Sequence, residues 1–183
     1  GAAWTDNILG AGAVTNISGA VGTAVGDYFV TYTFTDNGGN SDSETRTVSV
    51  VDTAAPVVAI DGGVSVIAGE CAVALTLPGA TASDVCDGAP AATVSDYDGL
   101  NEAAPAAGVY DVVYAATDAE GNTGTATLTV TVDDTTAPVV AIDGGVSTLS
   151  GECGVALTLP GATASDTCDG PRAVSVSDYD GLN

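Results

Sequence analysis

The chain contains no lysine, histidine, methionine or glutamine, and its only basic residues are Arg46 and Arg172. Its 24 acidic residues give a formal net charge of −22. Nucleic acids and anionic lipids are bound through clustered Lys and Arg, so this composition excludes a nucleic-acid interface and argues against docking on an anionic membrane. No apolar run is long enough to cross a bilayer, so we expect no membrane insertion. The acidic surface favours solubility, the binding of divalent cations or life in high salt.

The missing histidine and lysine also exclude most enzyme mechanisms. A Ser-His-Asp or Cys-His site needs a histidine base, and a Schiff base needs a lysine. Two carboxylates could in principle cleave a glycoside, but such a site needs a cleft that a small repeated module seldom supplies. Without Lys and Gln, neither Lys–Asn isopeptide nor Thr–Gln ester cross-links can form. We therefore expect a protein that is not an enzyme.

What the chain does contain is one unit repeated in tandem. The stretch Val51–Gly88 returns almost unchanged as Asp133–Gly170, and Pro56 recurs as Pro138, so the period is 82 residues. The sequence is either a window on a longer array, or a subunit whose half-modules are completed by neighbouring chains. With this period the chain divides into the back half of a module with a diverged N-terminal segment (1–51), a complete module (52–133) and a front half (134–183).

The residue pattern predicts β-strands separated by turns. Val and Thr favour half-buried strands, and the 24 glycines suit frequent turns. Apolar residues alternate with Thr in the segment before Asp133, and no helical period of useful length appears. The sequence therefore predicts an all-β fold built of small antiparallel β-sandwiches. The predicted strands are Ala11–Ile17, Asp27–Thr35, Thr45–Val51, Val57–Ile60, Val64–Ile67, Ala72–Leu77, Thr93–Ser95, Gly108–Thr117 and Thr125–Val132.

The four cysteines occupy the same two positions in successive modules. An even count at a repeated spacing predicts one bridge per module, Cys71–Cys86 and Cys153–Cys168. Each bridge would close a loop of about 15 residues, worth about 3 kcal/mol in the chain-entropy model. Such bridges indicate an oxidising compartment outside the cytosol, where the sequon at Asn16 would also be usable if exposed in a loop. A zinc site is the rival interpretation, but CxxC spacing and histidine are both lacking.

Calcium is the candidate cofactor, because hard cations bind clustered carboxylate and carbonyl oxygens. Acidic residues recur in the loop after the predicted strand Thr93–Ser95, in a hairpin turn and at the module boundary. None of these segments matches an EF-hand loop, and Asp in turns commonly caps its own backbone, so a purely structural role is the alternative at each. The candidate ligands are Asp96, Asp98, Asp118, Glu120, Asp133, Asp134, Asp178 and Asp180.

Three stretches resemble a known module family. DTTAPVV (134–140), GECGVALTLPGATASDTCDG (151–170) and VYAATDAEGNTGTATLTVTV (113–132) are similar to the hyalin-repeat (HYR) module and related bacterial immunoglobulin-like repeats. The resemblance covers the chain except for about Gly1–Gly19. It implies immunoglobulin-like β-sandwiches in extracellular proteins, often linked to adhesion, and it does not imply an enzyme. HYR modules commonly carry a second cysteine pair near their ends, which this chain lacks.

These observations favour a secreted, extracellular or cell-surface structural protein, a subunit or segment of a surface filament or adhesin stalk. Its expected partners are copies of itself or neighbouring modules of a longer chain. Residues 20–51 of one subunit could complete the front half of another by β-strand addition, which propagates head to tail. The alternative is a carbohydrate-binding accessory module of a secreted enzyme or adhesin, recognising cell-surface glycans through Tyr97 and Tyr179.

Overall fold

The fold is all-β, as the sequence predicts. A computed structural model describes residues 2–6, 10–14 and 16–178, in which no α-helix is present and only two short 3-10 turns, Asp61–Gly63 and Asp143–Gly145, interrupt the strands. No helix in these ranges has the length and apolar character of a membrane span. The strands are β1 (Ala3–Asp6), β2 (Gly10–Ala13), β3 (Asn16–Ser18), β4 (Gly26–Thr35), β5 (Ser41–Val50), β6 (Val57–Ile60), β7 (Val66–Glu70), β8 (Ala80–Ser83), β9 (Thr93–Asp96), β10 (Gly108–Thr117), β11 (Thr123–Asp133), β12 (Val139–Ile142), β13 (Ala162–Asp166) and β14 (Gly170–Arg172).

The chain forms two compact units. The first comprises Gly1–Pro56 with two loops of the complete module, Ser83–Pro90 and Thr117–Thr123. Its main sheet is β3–β4–β5, in which the predicted hairpin β4–β5 pairs without a break from Gly26↔Val50 to Thr35↔Ser41. The hairpin therefore presents one continuous antiparallel ribbon.

The second unit comprises Val57–Ala82, Ala91–Ala116 and Gly124–Asn183, and it contains the core of the complete module. One sheet pairs β6 with β8, and the other has the order β7–β11–β10–β9. Ile60 from the first sheet packs in one buried cluster with Val112, Tyr114, Leu128 and Val130 from the second, which makes the module a β-sandwich. The alternation predicted for β11 is confirmed, because its apolar side chains are buried while its threonines are more exposed.

One predicted strand of this sandwich is wrong, and one strand pair departs from the antiparallel pattern. The sheet is not wholly antiparallel, because β7 pairs with β11 in parallel from Val66↔Thr129 to Glu70↔Asp133. The segment Ala72–Leu77 is not a strand. Ala72 turns the chain at a φ of 58°, and the backbone N–H groups of Ala72 and Leu75 donate to carbonyls of the loop 102–105 instead of to a sheet.

Other predicted boundaries also shift. The strand predicted over Val64–Ile67 is β7, which begins two residues later and continues to Glu70. The strand predicted over Ala11–Ile17 is replaced by β2 and β3, with residue 15 outside the described residues.

The second unit also contains β12–β13–β14, a three-stranded antiparallel sheet that belongs to the front half-module. Its first strand and the turn at Asp143–Gly145 lie 82 residues after β6 and Asp61–Gly63. The glycine φ values of the two turns also agree, at 77° for Gly62 and 76° for Gly144. Several large apolar side chains of this half are exposed, although some counterparts in the complete module, such as Val57 and Val73, are exposed as well. The exposed residues are Val139, Val140, Ile142, Val146, Leu149, Val155, Leu157, Leu159, Val174 and Val176.

Candidate functional site

The disulfide joins successive modules, so both predicted pairings are wrong. Cys71 bonds to Cys168 across a sequence separation of 97, with a Cα–Cα distance of 5.7 Å. Cys86 and Cys153 are exposed free thiols. The reason is the parallel pairing of β7 with β11, after which Cys71 donates its backbone N–H to the carbonyl of Asp133 at 2.9 Å. That bond holds Cys71 where the chain enters the next module, which carries Cys168.

Glu70 forms a second link across the same boundary. Its carboxylate accepts hydrogen bonds from the Thr135 backbone N–H at 2.9 Å, the Thr135 hydroxyl at 2.7 Å and the Thr136 hydroxyl at 3.1 Å. The hydrogen bonds from Thr135 and then Thr136 lower the pKa of Glu70 below its ordinary value, because they stabilise the ionised form. The residue beside the disulfide therefore also binds the first residues of the following module.

Both second cysteines of the repeat occupy the same kind of loop. Asp166 accepts a hydrogen bond from the Cys168 backbone N–H at 2.8 Å, and Asp84 accepts one from the Cys86 backbone N–H at 2.7 Å. In the first unit, partial desolvation and the negative charges around it raise the pKa of the Cys86 thiol. Cys86 thus has the local geometry of a bonded cysteine while remaining a thiol.

Four carboxylates converge in the first unit. Asp52, Asp87, Asp118 and Glu120 each place an oxygen within 4.8 Å of the others. Asp52 and Asp118 are each only 8% exposed. Asp52 Oδ1 accepts the Ala54 N–H at 3.0 Å, but Asp52 Oδ2 is buried with no hydrogen-bond partner. A buried carboxylate oxygen without a donor is costly, and both the nearby Cys86 thiol and a bound cation are chemically suited to partner Asp52.

Turn hydrogen bonds fix two of these carboxylates. Asn122 donates its backbone N–H and its side-chain amide to the two oxygens of Asp118, each at 2.7 Å. Asp87 accepts the Ala119 backbone N–H at 2.6 Å, which ties the loop 83–90 to the hairpin turn. Two of the four carboxylates are therefore held in place by hydrogen bonds from the hairpin turn.

Burial, hydrogen bonds and neighbouring charges shift the pKa values of two members of the cluster, Asp118 and Glu120. Burial opposes ionisation of Asp118, but the hydrogen bonds from Asn122 outweigh it and lower the Asp118 pKa. Desolvation, followed by the charges of Asp87, Asp118 and Asp52, raises the pKa of Glu120. A divalent cation would remove the repulsion that raises the Glu120 pKa, and oxygen-only ligands suit calcium.

A smaller group recurs one period later. Asp134, Asp166 and Cys168 lie together in the second unit as Asp52, Asp84 and Cys86 do in the first. Cys168 is bonded to Cys71 and cannot act as a thiolate ligand, which leaves two carboxylates. Asp166 Oδ2 is also buried without a hydrogen-bond partner, but with two carboxylates this group is a weaker candidate than the four-carboxylate cluster.

The remaining predicted ligands lie elsewhere. Asp96 accepts the Asp98 backbone N–H at 2.9 Å, and Asp98 accepts the Asp111 backbone N–H at 3.0 Å, so both organise a turn. Asp133 and Asp178 belong to none of the acidic clusters found in residues 2–6, 10–14 and 16–178. Asp180 lies outside the described residues.

The predicted carbohydrate features are only partly described. Asn16 is exposed, but it lies in β3 and pairs with Thr33, whereas the prediction required a loop. Tyr97 is partly exposed, and Tyr179 lies outside the described residues. The aromatic platform proposed from the sequence therefore rests on Tyr97 within the described chain.

Sequence reasoning missed Asp52, Asp84, Asp87 and Asp166 as site residues. A usable signal was present, since each second cysteine lies in the pattern Asp-x-Cys-Asp, at Asp84–Asp87 and again one period later.

No family model and no curated protein matches the chain. Among solved structures it is similar to "Protocadherin Gamma B2 extracellular cadherin domains 1-5", with a TM-score of 0.36 and 14% sequence identity. The match covers 79% of this chain and 32% of that one, so the chain spans about a third of the protocadherin structure. A similarity this low supports no inference about function.

Proposed function

We propose that this chain is a structural repeat protein of the extracellular space, a segment or subunit of a surface filament or stalk, in which a hairpin of the β4–β5 kind covers the front half-module. One comparison carries the proposal. Ile60 of the complete module is 9% exposed, whereas its counterpart Ile142 in the front half is 47% exposed. In the complete module, β10 and β11 supply the covering side chains. Within the described residues, the front half exposes Ile142, whose counterpart is covered in the complete module.

The hairpin β4–β5 has the residues for that role. Val30 and Tyr32 stand 82 residues before Val112 and Tyr114, which pack in the core of the complete module. Exposed apolar faces of this size are commonly binding surfaces. A second copy therefore offers the front half a hairpin with the side chains that its own module family uses.

The backbone offers a matching edge. In the complete module β7 pairs in parallel with β11, with Ile67 opposite Val130. Shifted by one period, this register places Leu149 of one copy opposite Val48 of the next. The segment 148–152 lies in no strand, and β5 is an edge strand of its sheet. Strand addition would pair both free edges, and because the contact is head to tail it would propagate.

The surface charge sets the conditions for this contact. A net charge of −22 on each copy opposes association at low ionic strength. Salt near 0.1 M shortens the screening length to about 10 Å, so assembly should strengthen with salt. The disulfide supports an oxidising, extracellular compartment for the protein.

Sedimentation velocity of the chain with Cys71–Cys168 intact, purified without added oxidant, tests the assembly. With about 0.15 M salt, we expect the weight-average mass to rise with protein concentration. The variant Ile142→Asp should remain monomeric, because it places a charge on the face that the hairpin must cover. A wild-type chain that stays monomeric at every concentration would refute strand complementation.

Val155→Asp is the matched control. Val155 is 66% exposed, and its counterpart Val73 is still 56% exposed in the complete module, so no partner should cover it. This variant should assemble like the wild type. Equal loss of assembly in both variants would mean that added charge alone, and not the covered face, controls association.

The same proposal includes a calcium ion held by Asp52, Asp87, Asp118 and Glu120. Its support is the buried Asp52 Oδ2 without a hydrogen-bond donor, surrounded by three other carboxylates. At a free concentration of 100 times the dissociation constant, one bound ion would add about 2.7 kcal/mol of stability. A cation there would fix the boundary residue Asp52 to two loops of the module that follows it.

Glu120→Gln distinguishes this site from general charge screening. The substitution removes a carboxylate whose pKa is raised by its neighbours, so it should raise the melting temperature without calcium and reduce the increment that calcium gives. Asp96→Asn, in a turn outside the cluster, should leave the melting temperature without calcium and its increase on adding calcium near the wild-type values. An unchanged calcium increment in Glu120→Gln would refute the site.

A further inference from the structure

We propose that Asn37 is a site of self-modification, at which the backbone nitrogen of Gly38 displaces the side-chain amide and leaves aspartate or isoaspartate at position 37. Asparagine is a thermolabile residue. It is most reactive before glycine, because glycine has no Cβ to hinder the approach of its nitrogen. Of the asparagines in the chain, only Asn37 precedes a glycine. The inference does not depend on the proposed assembly.

Asn37 lies at the exposed tip of the β4–β5 hairpin. Two backbone hydrogen bonds close the turn, from the Asp36 N–H to the Asn40 carbonyl at 2.8 Å and from the Gly39 N–H to the Asp36 carbonyl at 3.1 Å. Neither bond uses a group of Asn37 or the N–H of Gly38. Among the described residues, none is a hydrogen-bond partner of the Asn37 side chain. Its Cγ can therefore turn toward the Gly38 nitrogen.

The turn does not need a glycine at position 38. The residue with a positive φ is Gly39, at 86°, and Gly38 does not lie in the left-handed region. The corresponding turn of the complete module forms the same hydrogen bonds between Asn122 and Asp118, although Ala119 and Glu120 occupy the positions of Asn37 and Gly38. The Asn-Gly pair is therefore an addition to a turn that forms without it.

The neighbours of Asn37 make the reaction selective. Asn40, the other asparagine of this turn, donates its side-chain amide to Asp36 Oδ2 at 2.8 Å and is followed by Ser41. The Asp36 carboxylate also lies beside the Gly38 N–H, and its negative charge opposes the loss of that proton. The reaction should therefore modify Asn37 but not Asn40, and it should be slower in the folded chain than in the unfolded one.

The reaction needs only water as a co-reactant. The Gly38 nitrogen forms a bond with Asn37 Cγ, the Cγ–Nδ2 bond breaks, and ammonia leaves with the proton that the Gly38 nitrogen loses. Water then opens the resulting succinimide. Addition at Cγ gives aspartate with the original backbone, and addition at the main-chain carbonyl carbon gives isoaspartate. One water is consumed and one ammonia is released, and nothing is oxidised or reduced.

The products change the tip of the hairpin. Each adds a carboxylate beside Asp36, which makes the formal net charge of −22 one unit more negative. Isoaspartate also places its Cβ in the main chain between Asp36 and Gly38, which lengthens the link that the two turn hydrogen bonds enclose. The amide protons of Asp36 and Gly39 should therefore exchange faster in modified protein, while those of the turn at Asp118 should be unchanged.

Incubation of the folded chain at mildly alkaline pH, followed by site-resolved mass spectrometry, tests the inference. The peptide with Asn37 should gain the mass difference between a hydroxyl and an amino group with first-order kinetics, while Asn40 and Asn122 keep their amides. Mass is the readout because Asp-Gly pairs, such as Asp61-Gly62, can isomerise without a change in mass. The same chain in denaturant should lose the Asn37 amide faster.

Gly38→Ala is the matched control. A Cβ at position 38 would lie 3.2 Å from Asp36 Oδ1 and 3.3 Å from Asn40 Nδ2, which are ends of side chains that can move aside. The variant should therefore fold, and it should lose the Asn37 amide several times more slowly than the wild type.

Three results would overturn the inference. The first is an Asn37 amide that survives in the folded wild type as long as that of Asn40, a comparison that needs no substitution. The second is equal loss of the Asn37 amide in Gly38→Ala and the wild type. The third is a folded chain that keeps the amide under conditions in which the denatured chain loses it completely, because the turn would then block the reaction.

Discussion

Replacing both Cys71 and Cys168 by alanine should lower the free energy of unfolding by about 4–5 kcal/mol. The bond spans a sequence separation of 97, and the chain-entropy model gives about 4.7 kcal/mol for a loop of about 100 residues. For a chain of this length, that loss corresponds to roughly 10–19 °C in melting temperature. Calorimetry measures this change in melting temperature, on protein dilute enough to keep the copies apart. Cys71 is also a core residue, so alanine removes packing as well as the bond. Comparing oxidised with reduced wild-type protein gives the contribution of the bond alone.

The double variant Cys86→Ala/Cys153→Ala is the control for this prediction. Both thiols are exposed and unbonded, so the change should stay within about 0.5 kcal/mol. If the bridges instead lay within modules, each double variant would break both of them and lose the same stability. Equal losses in the two double variants would therefore refute the cross-module bond.

Three further predictions concern the core, the boundary and the free thiol. Leu128 is 0% exposed, so Leu128→Ala should lower the free energy of unfolding by about 2–5 kcal/mol, measured by urea denaturation with an unchanged m-value. A loss below about 1 kcal/mol would contradict the packing of Leu128 in the core. Hydrogen bonds from Thr135 and Thr136 lower the Glu70 pKa below 4.5, so ionised Glu70 contributes stability above that pH, and this stability is lost as the pH falls through the lowered pKa. The difference in melting temperature between Glu70→Gln and the wild type should therefore shrink as the pH falls, and a difference that stays constant would contradict the prediction. The raised pKa of Cys86 means that its alkylation rate, followed by site-resolved mass spectrometry, should still be rising above pH 9.0.

Local pattern was enough to predict the hairpins. In β11 the buried residues Leu128, Val130 and Val132 alternate with threonines, and only a half-buried strand satisfies that period. The turn beginning at Asp118 was equally readable, because an Asp followed four residues later by Asn can cap the backbone that joins them. These features depend on neighbours within about ten residues, which the sequence displays directly.

The cysteine pairing was not readable in the same way. The short spacing from Cys71 to Cys86 suggested a closed loop within one module. The true partner depends on β7 lying parallel to β11, a contact between segments about 60 residues apart that leaves no local period. Repetition made this harder, because every module offers chemically identical partners and only the register between modules distinguishes them.

The acidic cluster was half predicted for the same reason. Asp118 and Glu120 share one turn, so their proximity follows from the sequence. Asp52 and Asp87 come from the boundary segment and from a different loop, and they join the turn only in the folded first unit. The unpartnered oxygen of Asp52, which carries the argument for a cation, is a property of burial that composition does not reveal.

A bond across a boundary does something that a bond within a module does not. A bridge inside each sandwich would strengthen a thin core but leave the joint between modules free to bend. Here the parallel strand β7 ends at Glu70, and Cys71 follows it. Glu70 binds Thr135, just after β11, and Cys71 is bonded to Cys168 of the next module. Bending at this joint would have to break hydrogen bonds and strain a covalent link at once. The repeat therefore restrains the joint as well as the module, which is what a stalk or filament needs and what an isolated binding module does not.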